Sequence, residues 1–250
     1  MQVQWQFSRR GIREVQELIR AHRRDFFVSH RIARNLRGNR PSLTPSRCWH
    51  VLLVCLLTTR QRSGPDSPIQ RVLTSRPFVL RLGILKGKTH PSDFVEKTLR
   101  RSGGIRRVDT IGAQAAENLP WFSGSGWREL KRKLNSLIPP RGYIRERRLA
   151  NWLASEFRGL GPKQSRNFLQ CLGLTRYEIP IDSRIMKWLN EFGFPVALSA
   201  ASLNDPGYYA FVNDGVRELC KAAGTYPCVL DAVVFSRVDD GGWTDRELVF

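Results

Sequence analysis

The sequence has no long hydrophobic run and no uninterrupted apolar segment near its N-terminus. Its longest apolar run, Val51 to Leu57, has seven residues, far fewer than the roughly 20 that a membrane-spanning helix needs. The first 14 residues already include charged side chains, where a signal peptide would carry an apolar region. We therefore expect a cytoplasmic protein with no membrane partner.

Cysteines are few and scattered, at Cys48, Cys55, Cys171, Cys220 and Cys228. Their odd number and irregular spacing argue against a disulfide framework and favour reduced, buried thiols. The chain also has no CxxC pair and no HxE or HExxH motif. The sequence therefore predicts no zinc or iron–sulfur site and no other cofactor.

Acidic residues are too few to balance the basic ones. The chain carries 41 Lys and Arg against 22 Asp and Glu, a formal net charge of +19. Residues 1–150 hold 31 basic and 10 acidic residues, whereas residues 151–250 hold 10 and 12. Self-repulsion on this scale favours a polyanionic partner, and we predict nucleic acid. An anionic membrane fits less well, because the basic residues form no single amphipathic helix.

Strand patterns are nearly absent, and helical spacing of apolar residues recurs along the chain. Residues 11–36 indicate one or two amphipathic helices, residues 46–57 a core helix, and residues 145–157 a strong helix with one apolar face. Shorter helices are predicted near residues 68–74, 91–102 and 109–118. The sequence therefore predicts an all-α fold.

Residues 157–172 have the pattern of a helix-hairpin-helix. Gly159 and Gly161 lie between two apolar helical stripes, and Pro162 opens the second helix. Glycines permit backbone conformations that let hairpin amides at a helix N-terminus meet a phosphate. The alternative is an ordinary helix C-cap followed by proline at the first helical position.

Nineteen residues after Lys163 comes Asp182, which follows Pro180 and Ile181. With Gly159 and Gly161, these residues resemble the helix-hairpin-helix (Gly-Pro-Asp type) DNA glycosylases, particularly the archaeal-type 8-oxoguanine DNA glycosylase/AP lyases. The resemblance implies a two-lobed all-α fold. We expect a central lobe of residues 59–175 that ends in the hairpin, and a second lobe of residues 1–58 plus 176–250.

The resemblance also implies a mechanism. Lys163 would be the nucleophile that attacks the sugar C1′ and forms a Schiff base, which requires its unprotonated amine. Asp182 would stabilise the positive charge that develops on the sugar and help to move the lysine proton. The simpler alternatives are a phosphate contact for Lys163 and a helix N-cap for Asp182, and capping is compatible with catalysis.

Further residues are assigned to DNA and to the extruded base. We expect DNA contacts from Gly159, Gly161, Arg158, Gln164, Arg166 and Arg184, and the gap-filling side chain from Arg60 or Gln61. A base pocket is predicted from Trp121 and Trp127, in a Gly- and Ser-rich loop, and from Asp231 and Phe235, which resemble a C-terminal helix of the 8-oxoguanine branch. For each aromatic residue the alternative is core packing.

The expected partner is double-stranded DNA with a damaged or modified base, bound by a monomeric, nucleoid-associated protein. The first substrate to consider is 8-oxoguanine. The acidic tail, residues 237–250, departs from that branch. It leaves open a hypermodified base in phage DNA, such as glucosylated hydroxymethylcytosine, and hence a defence enzyme. Two other classes also stay open: a non-catalytic helix-hairpin-helix protein that binds nucleic acid, and a structural RNA-binding protein.

Overall fold

The computed structural model describes residues 4–61, 63–139 and 142–238, and these ranges contain helices and connecting segments but no β-strand. The all-α prediction is therefore confirmed. No helix within them is both long enough and apolar enough to cross a bilayer. The α-helices are α1 (Arg9–His22), α2 (Phe26–Arg31), α3 (Pro45–Leu57), α4 (Pro68–Leu73), α5 (Leu82–Lys86), α6 (Pro91–Ser102), α7 (Val108–Asn118), α8 (Gly124–Asn135), α9 (Tyr143–Glu156), α10 (Pro162–Cys171), α11 (Ser183–Phe192), α12 (Pro206–Ala222) and α13 (Pro227–Val238).

Local sequence explains where these helices begin. Thr44 caps α3, its hydroxyl accepting a hydrogen bond from the Arg47 amide at 3.2 Å, and Pro45 occupies the first turn. The apolar run Val51 to Leu57 is buried around its whole circumference, as predicted for a core helix. One π-helical turn, Ile32–Leu36, continues α2. Short 3-10 turns occur at Leu119–Phe122 and Ser202–Asn204.

The buried side chains form two separate cores. The first core runs from Cys48 to Leu174 and draws on α3 to α10. The second combines Val15 and Val28 from the N-terminal helices with residues from Ile179 to Val234. We call these the central lobe and the terminal lobe. The terminal lobe thus draws its buried residues from both ends of the chain.

The two cores show where the chain passes from one lobe to the other. The boundary after residue 175 falls between Leu174, which ends the first core, and Ile179, which continues the second. The boundary after residue 58 lies one helix too late in the chain, because α3 packs entirely in the central lobe. An apolar helix has to be covered on all sides, and α5, α7 and α10 of the central lobe pack against α3.

Candidate active site

The hairpin between α9 and α10 depends on one glycine for its shape. Gly159 has φ +85°, in the left-handed region. A Cβ atom there would lie 2.6 Å from Leu56 Cδ2 and 2.5 Å from Gln114 Oε1. Gly161 differs, because its φ is −79° and a Cβ atom there would meet nothing within 4 Å. It is the N-cap of α10 and offers no side-chain cap, so the turn presents open backbone at a helix N-terminus.

Lys163 is the second residue of α10, directly after this turn. Its side chain lines a cleft between the two lobes. Within residues 4–61, 63–139 and 142–238, its amine makes no hydrogen bond and no ion pair. A lysine amine without a carboxylate partner, at the edge of a cleft, is available to a molecule that enters it.

Asp182 lines the same cleft as the N-cap of α11. Its Oδ1 accepts hydrogen bonds from the Arg184 amide at 2.9 Å and the Ile185 amide at 3.0 Å. Its Oδ2 lies 3.7 Å from Arg184 Nη1 and makes no closer polar contact in the described part of the chain. The predicted capping role is therefore present, and it occupies one carboxylate oxygen while the other is left for the cleft.

The cleft has a volume of about 1180 Å³. It receives side chains from the end of α3, from the hairpin and α10, and from α2, α11, α12 and α13. Its basic lining residues are Arg31, Arg60, Arg107, Arg158, Lys163 and Arg184, against the acidic Asp182 and Asp231. Clefts lined by one sign of charge concentrate ligands of the opposite sign, so this one favours an anionic ligand.

A buried polar cluster lies in the terminal-lobe wall of the cleft. Asp231 Oδ2 accepts hydrogen bonds from Arg31 Nη1 at 2.6 Å and from Gln170 Nε2 at 2.7 Å. Burial raises the pKa of the Asp231 carboxyl, although the Arg31 guanidinium opposes the shift. Two polar atoms here, Arg31 Nε and Gln170 Oε1, are buried without a partner among the described residues. Such atoms are costly unless something completes their hydrogen bonds, so this wall suits a polar ligand.

Comparison with known proteins identifies the fold. The chain matches no family model, and no curated protein matches it in sequence. Among solved structures, the 8-oxoguanine DNA glycosylase of Thermotoga maritima superposes with a TM-score of 0.67 over 92% of this chain and 98% of its own, at 16% identity. The chain has the fold of an 8-oxoguanine DNA glycosylase.

Two structures of the Methanocaldococcus jannaschii 8-oxoguanine glycosylase agree with this result. One has a TM-score of 0.65 and 17% identity, over 92% of this chain and 94% of its own. The other, in complex with a 15mer DNA containing 8-oxoguanine, has a TM-score of 0.63 and 15% identity, over 90% and 97%. The glycosylase fold thus spans nearly the whole chain.

Within the glycosylase fold, two predicted phosphate contacts stay on the surface. Arg158 is exposed and pairs with Glu117 Oε2 at 3.0 Å, while its backbone amide donates to Asn118 Oδ1. Arg184 is partly exposed, and its guanidinium carbon lies 4.4 Å from the ring centre of Phe235. Both residues line the cleft, so they stay candidates for DNA contact.

Two other predicted DNA contacts are buried. Arg166 is 1% exposed and pairs with Glu178 Oε2 at 2.7 Å, so the predicted phosphate contact is wrong. Gln164 lines the cleft but is also buried, and its Nε2 donates to Thr59 Oγ1 at 2.7 Å. This bond fastens α10 to the loop that follows α3. Both side chains therefore bind other parts of the protein, Arg166 to Glu178 and Gln164 to Thr59.

That loop contains the two predicted gap-filling residues. Gln61 is committed within the protein, because its Nε2 donates to the Leu57 carbonyl at 2.8 Å and its Oε1 accepts from the Arg106 amide at 3.0 Å. Arg60 is exposed and has φ +57°, which is unusual for a residue with a side chain. Both residues line the cleft, and the exposed Arg60 is the better placed of the two to reach into a bound duplex.

The predicted base-pocket residues divide into two pairs. Asp231 and Phe235, one turn apart on α13, both line the cleft. Trp121 and Trp127 do not line it, and they pack against the first core. Trp121 lies 5.3 Å, centre to centre, from the rings of Trp152 and Phe157. Core packing, the alternative for these aromatic residues, is what the structure has.

The cleft also takes in residues that the sequence did not single out, among them Phe27, Arg31, Gln170 and Tyr209. Phe27 stacks on Phe235, with ring centres 4.4 Å apart, and Arg31 lies over Phe27 at 5.3 Å. The spacing of Phe27 and Arg31 by one helical turn is the only sequence signal that could have linked them. Among the described residues, no group of three or more His, Cys, Asp or Glu side chains could hold a metal ion. Residues 239–250, the greater part of the acidic tail, lie outside the described residues.

Proposed function

We propose that this protein is a DNA glycosylase that flips a damaged or modified base out of duplex DNA and excises it, with 8-oxoguanine as the first substrate to test. We further propose that it has AP lyase activity through Lys163. The observation that carries the proposal is that Lys163 and Asp182 line one cleft directly beside the hairpin. The neighbouring structures, which are 8-oxoguanine glycosylases by name, support the same activity.

The chemistry begins with the amine of Lys163. In its unprotonated form the amine attacks the sugar C1′, and the bond from C1′ to the nucleobase breaks. The departing base keeps the bonding electrons and takes up a proton. The product, an N,O-acetal at C1′, opens to a Schiff base as O4′ takes up a proton. Loss of a C2′ proton then expels the 3′ phosphate by β-elimination and cleaves the strand.

Asp182 serves the same step through its charge. Positive charge develops on the sugar as the base departs, and a fixed carboxylate nearby stabilises it. The two amide bonds to Oδ1 hold this carboxylate in place, and Oδ2 has one polar contact among the described residues, to Arg184 Nη1 at 3.7 Å. Oδ2 is also the acceptor for the proton that the amine releases on attack.

Phosphate binding follows from the turn before α10. The open N-terminus of that helix, with its macrodipole, is suited to an anion. We propose that the hairpin backbone at Gly159 and Gly161 holds a phosphate and that Arg158 and Arg184 contact its neighbours. The partner is double-stranded DNA, bound by a monomer. Both arginines lie on the cleft rim, which supports these roles.

The extruded base would enter the polar wall of the cleft. We propose that Asp231 and Phe235 contact it, with Arg31 and Gln170 completing its hydrogen bonds. Only Oδ2 of Asp231 is hydrogen-bonded within the described residues, so Oδ1 is left to accept from a base N–H group. Arg60 would fill the gap in the duplex, because Gln61 is held by two hydrogen bonds of its own.

The test is excision from end-labelled duplexes that contain 8-oxoguanine, uracil, an alkylated base, hydroxymethylcytosine or its glucosylated form. Wild type and Asp182→Asn are compared by release of the free base, because the substitution removes the charge and keeps the side-chain shape. Release of one base by wild type, with a large loss in the variant, supports the proposal. Release of only the glucosylated base would favour the defence enzyme over the repair enzyme.

Two results would instead favour the other classes. Tight duplex binding without release of any base supports a non-catalytic binding protein. A strong preference for structured RNA over every duplex in a competition titration supports an RNA-binding protein. Loss of a base without strand cleavage would keep the glycosylase and remove the lyase, with water in place of Lys163 as the nucleophile.

A further inference from the structure

The segment that leads to Asp182, residues 176–181, belongs to no helix or strand, and its residues 178–181 are buried. Its amide groups therefore need partners from side chains. Glu146 of α9 supplies the first set. Its carboxylate accepts hydrogen bonds from the amides of Arg176, Tyr177 and Glu178 at 2.9, 2.8 and 3.0 Å. Three consecutive residues are thus fixed by one side chain.

Two residues of α12 hold the next part of the segment. Asn213 Oδ1 accepts from the Ile179 amide at 3.2 Å. The hydroxyl of Tyr209 accepts from the Ile181 amide at 2.5 Å and donates to the Ile179 carbonyl at 3.1 Å. Tyr209 is completely buried, and burial raises the pKa of its hydroxyl, which keeps the donor proton in place. Tyr209 therefore fixes the residue immediately before Asp182.

Arg166 connects this segment to the turn that carries Lys163. Its Nε donates to Glu178 Oε2 at 2.7 Å, and its Nη1 donates to the Pro162 carbonyl at 3.0 Å. Its guanidinium carbon also lies 4.7 Å from the ring centre of Tyr209. One buried side chain thus touches the residue before Lys163, the segment that leads to Asp182, and the tyrosine that holds that segment.

We propose that Tyr209 and Arg166 are positioning residues that set the separation between the Lys163 amine and the Asp182 carboxylate. The consequence for catalysis rests on the proposed function, whereas the geometric link does not. A buried ion pair adds little net stability compared with apolar packing of similar volume. Its effect is to impose one arrangement on the two chain segments, and a misplacement of about 1 Å at a reacting group can cost about 100-fold in rate.

The test compares Tyr209→Phe with Tyr208→Phe. Both substitutions remove a single hydroxyl from α12, but the Tyr208 hydroxyl donates to the Ala197 carbonyl at 3.0 Å and does not touch the segment. The first measurement is the single-turnover rate of base excision, together with the dissociation constant for the same duplex. The second is amide hydrogen exchange at Ile181, Arg184 and Ile185, which needs no substrate.

Tyr209→Phe is expected to lower the excision rate by about 10- to 100-fold while the dissociation constant changes less than about twofold. Exchange is expected to accelerate at Ile181 and also at Arg184 and Ile185, whose amides bind Asp182. Tyr208→Phe should behave like wild type. An unchanged excision rate, with faster exchange confined to Ile181, would overturn the positioning role.

The exchange measurement separates this proposal from the proposed function. If wild type excises no base, the glycosylase proposal fails, and faster exchange at Arg184 and Ile185 still supports the link from Tyr209 to Asp182. Arg166→Lys tests the other half, because a single ammonium group cannot bridge Glu178 and the Pro162 carbonyl as the guanidinium fork does. Excision by Arg166→Lys at the wild-type rate would contradict a positioning role for Arg166.

Discussion

Replacing a hairpin glycine by alanine should impair folding at Gly159 and DNA binding at Gly161. Gly159→Ala places a Cβ atom in the left-handed region and within 2.6 Å of Leu56 Cδ2. Gly161→Ala meets no atom within 4 Å and leaves an ordinary φ of −79°. The same change two residues apart therefore tests the fold at one position and the phosphate site at the other.

The magnitudes follow from these contacts. The left-handed conformation costs alanine about 1 kcal/mol, and overpacking against a core leucine adds about 1–3 kcal/mol. Stiffening of the unfolded chain returns about 0.4–1 kcal/mol. Gly159→Ala should thus lower the free energy of unfolding by about 2–3 kcal/mol, or Tm by about 5–10 °C for a chain of this size. For Gly161→Ala the change should stay below about 1 kcal/mol.

Thermal unfolding and duplex titration of the two variants check this prediction. Gly161→Ala should unfold like wild type but bind duplex DNA more weakly, because a methyl group would stand where a phosphate approaches the backbone. Gly159→Ala should have a Tm below that of wild type. Equal stability of the two variants would refute the argument from φ and Leu56, and unchanged DNA binding by Gly161→Ala would refute a phosphate site at this turn.

Other predictions concern charge. Arg158→Ala removes an exposed ion pair, so the free energy of unfolding should change by less than about 0.5 kcal/mol, while the slope of log affinity for duplex against log salt should fall by about 0.9. Arg166→Met should instead lower the free energy of unfolding by about 3 kcal/mol. Equal chemical-denaturation midpoints for the two variants would contradict this difference. Burial raises the pKa of Glu146 from 4.5 to about 7. The contribution of Glu146 to folding stability is therefore greatest below pH 4.5 and is lost as the pH rises through 7. Glu146→Gln should lack this loss, which is at most about 3 kcal/mol of the free energy of unfolding in a denaturation series across pH. A pH profile of stability identical to that of wild type would contradict this prediction. Burial lowers the pKa of His50 to about 4, so stability falls as pH drops from about 6.5 through 4, and His50→Phe should be less acid-sensitive; an unchanged acid limb would refute this.

The hairpin and its two candidate catalytic residues could be predicted because each depends on local sequence. Gly159 is needed where the chain takes a positive φ, and Pro162 starts a helix that presents Lys163 one residue later. Asp182 precedes an apolar helical stripe, where an N-cap belongs. These features need no knowledge of distant parts of the chain.

The buried arginines could not be predicted in the same way. Arg31 is exposed or buried according to where Asp231 lies, and these residues are 200 positions apart. Arg166 lies in a helix turn that would suit a phosphate contact. It is buried because the later segment that carries Glu178 packs against α10 and pairs with it. Composition gives every arginine the same charge, and tertiary packing decides which of them can reach DNA.

The position of α3 and the role of Trp121 have a related cause. An apolar helix has to be buried, but its sequence does not say in which lobe, and α3 packs centrally. Trp121 lies beside glycine and serine residues, which is equally typical of a binding loop and of a tight turn over a core. The structure has the second arrangement, with Trp121 against Phe157.

Lys163 as the nucleophile is tested best by borohydride trapping on a duplex that contains a preformed abasic site. This substrate needs no base recognition, so it isolates the amine chemistry. Lys187→Gln is the matched control, because Lys187 is exposed on α11, pairs with Glu191 at 3.7 Å and lies outside the cleft. A covalent adduct is expected with wild type and with Lys187→Gln, and none with Lys163→Gln. An adduct of equal yield with Lys163→Gln, or no adduct with wild type, would contradict Lys163 as the nucleophile.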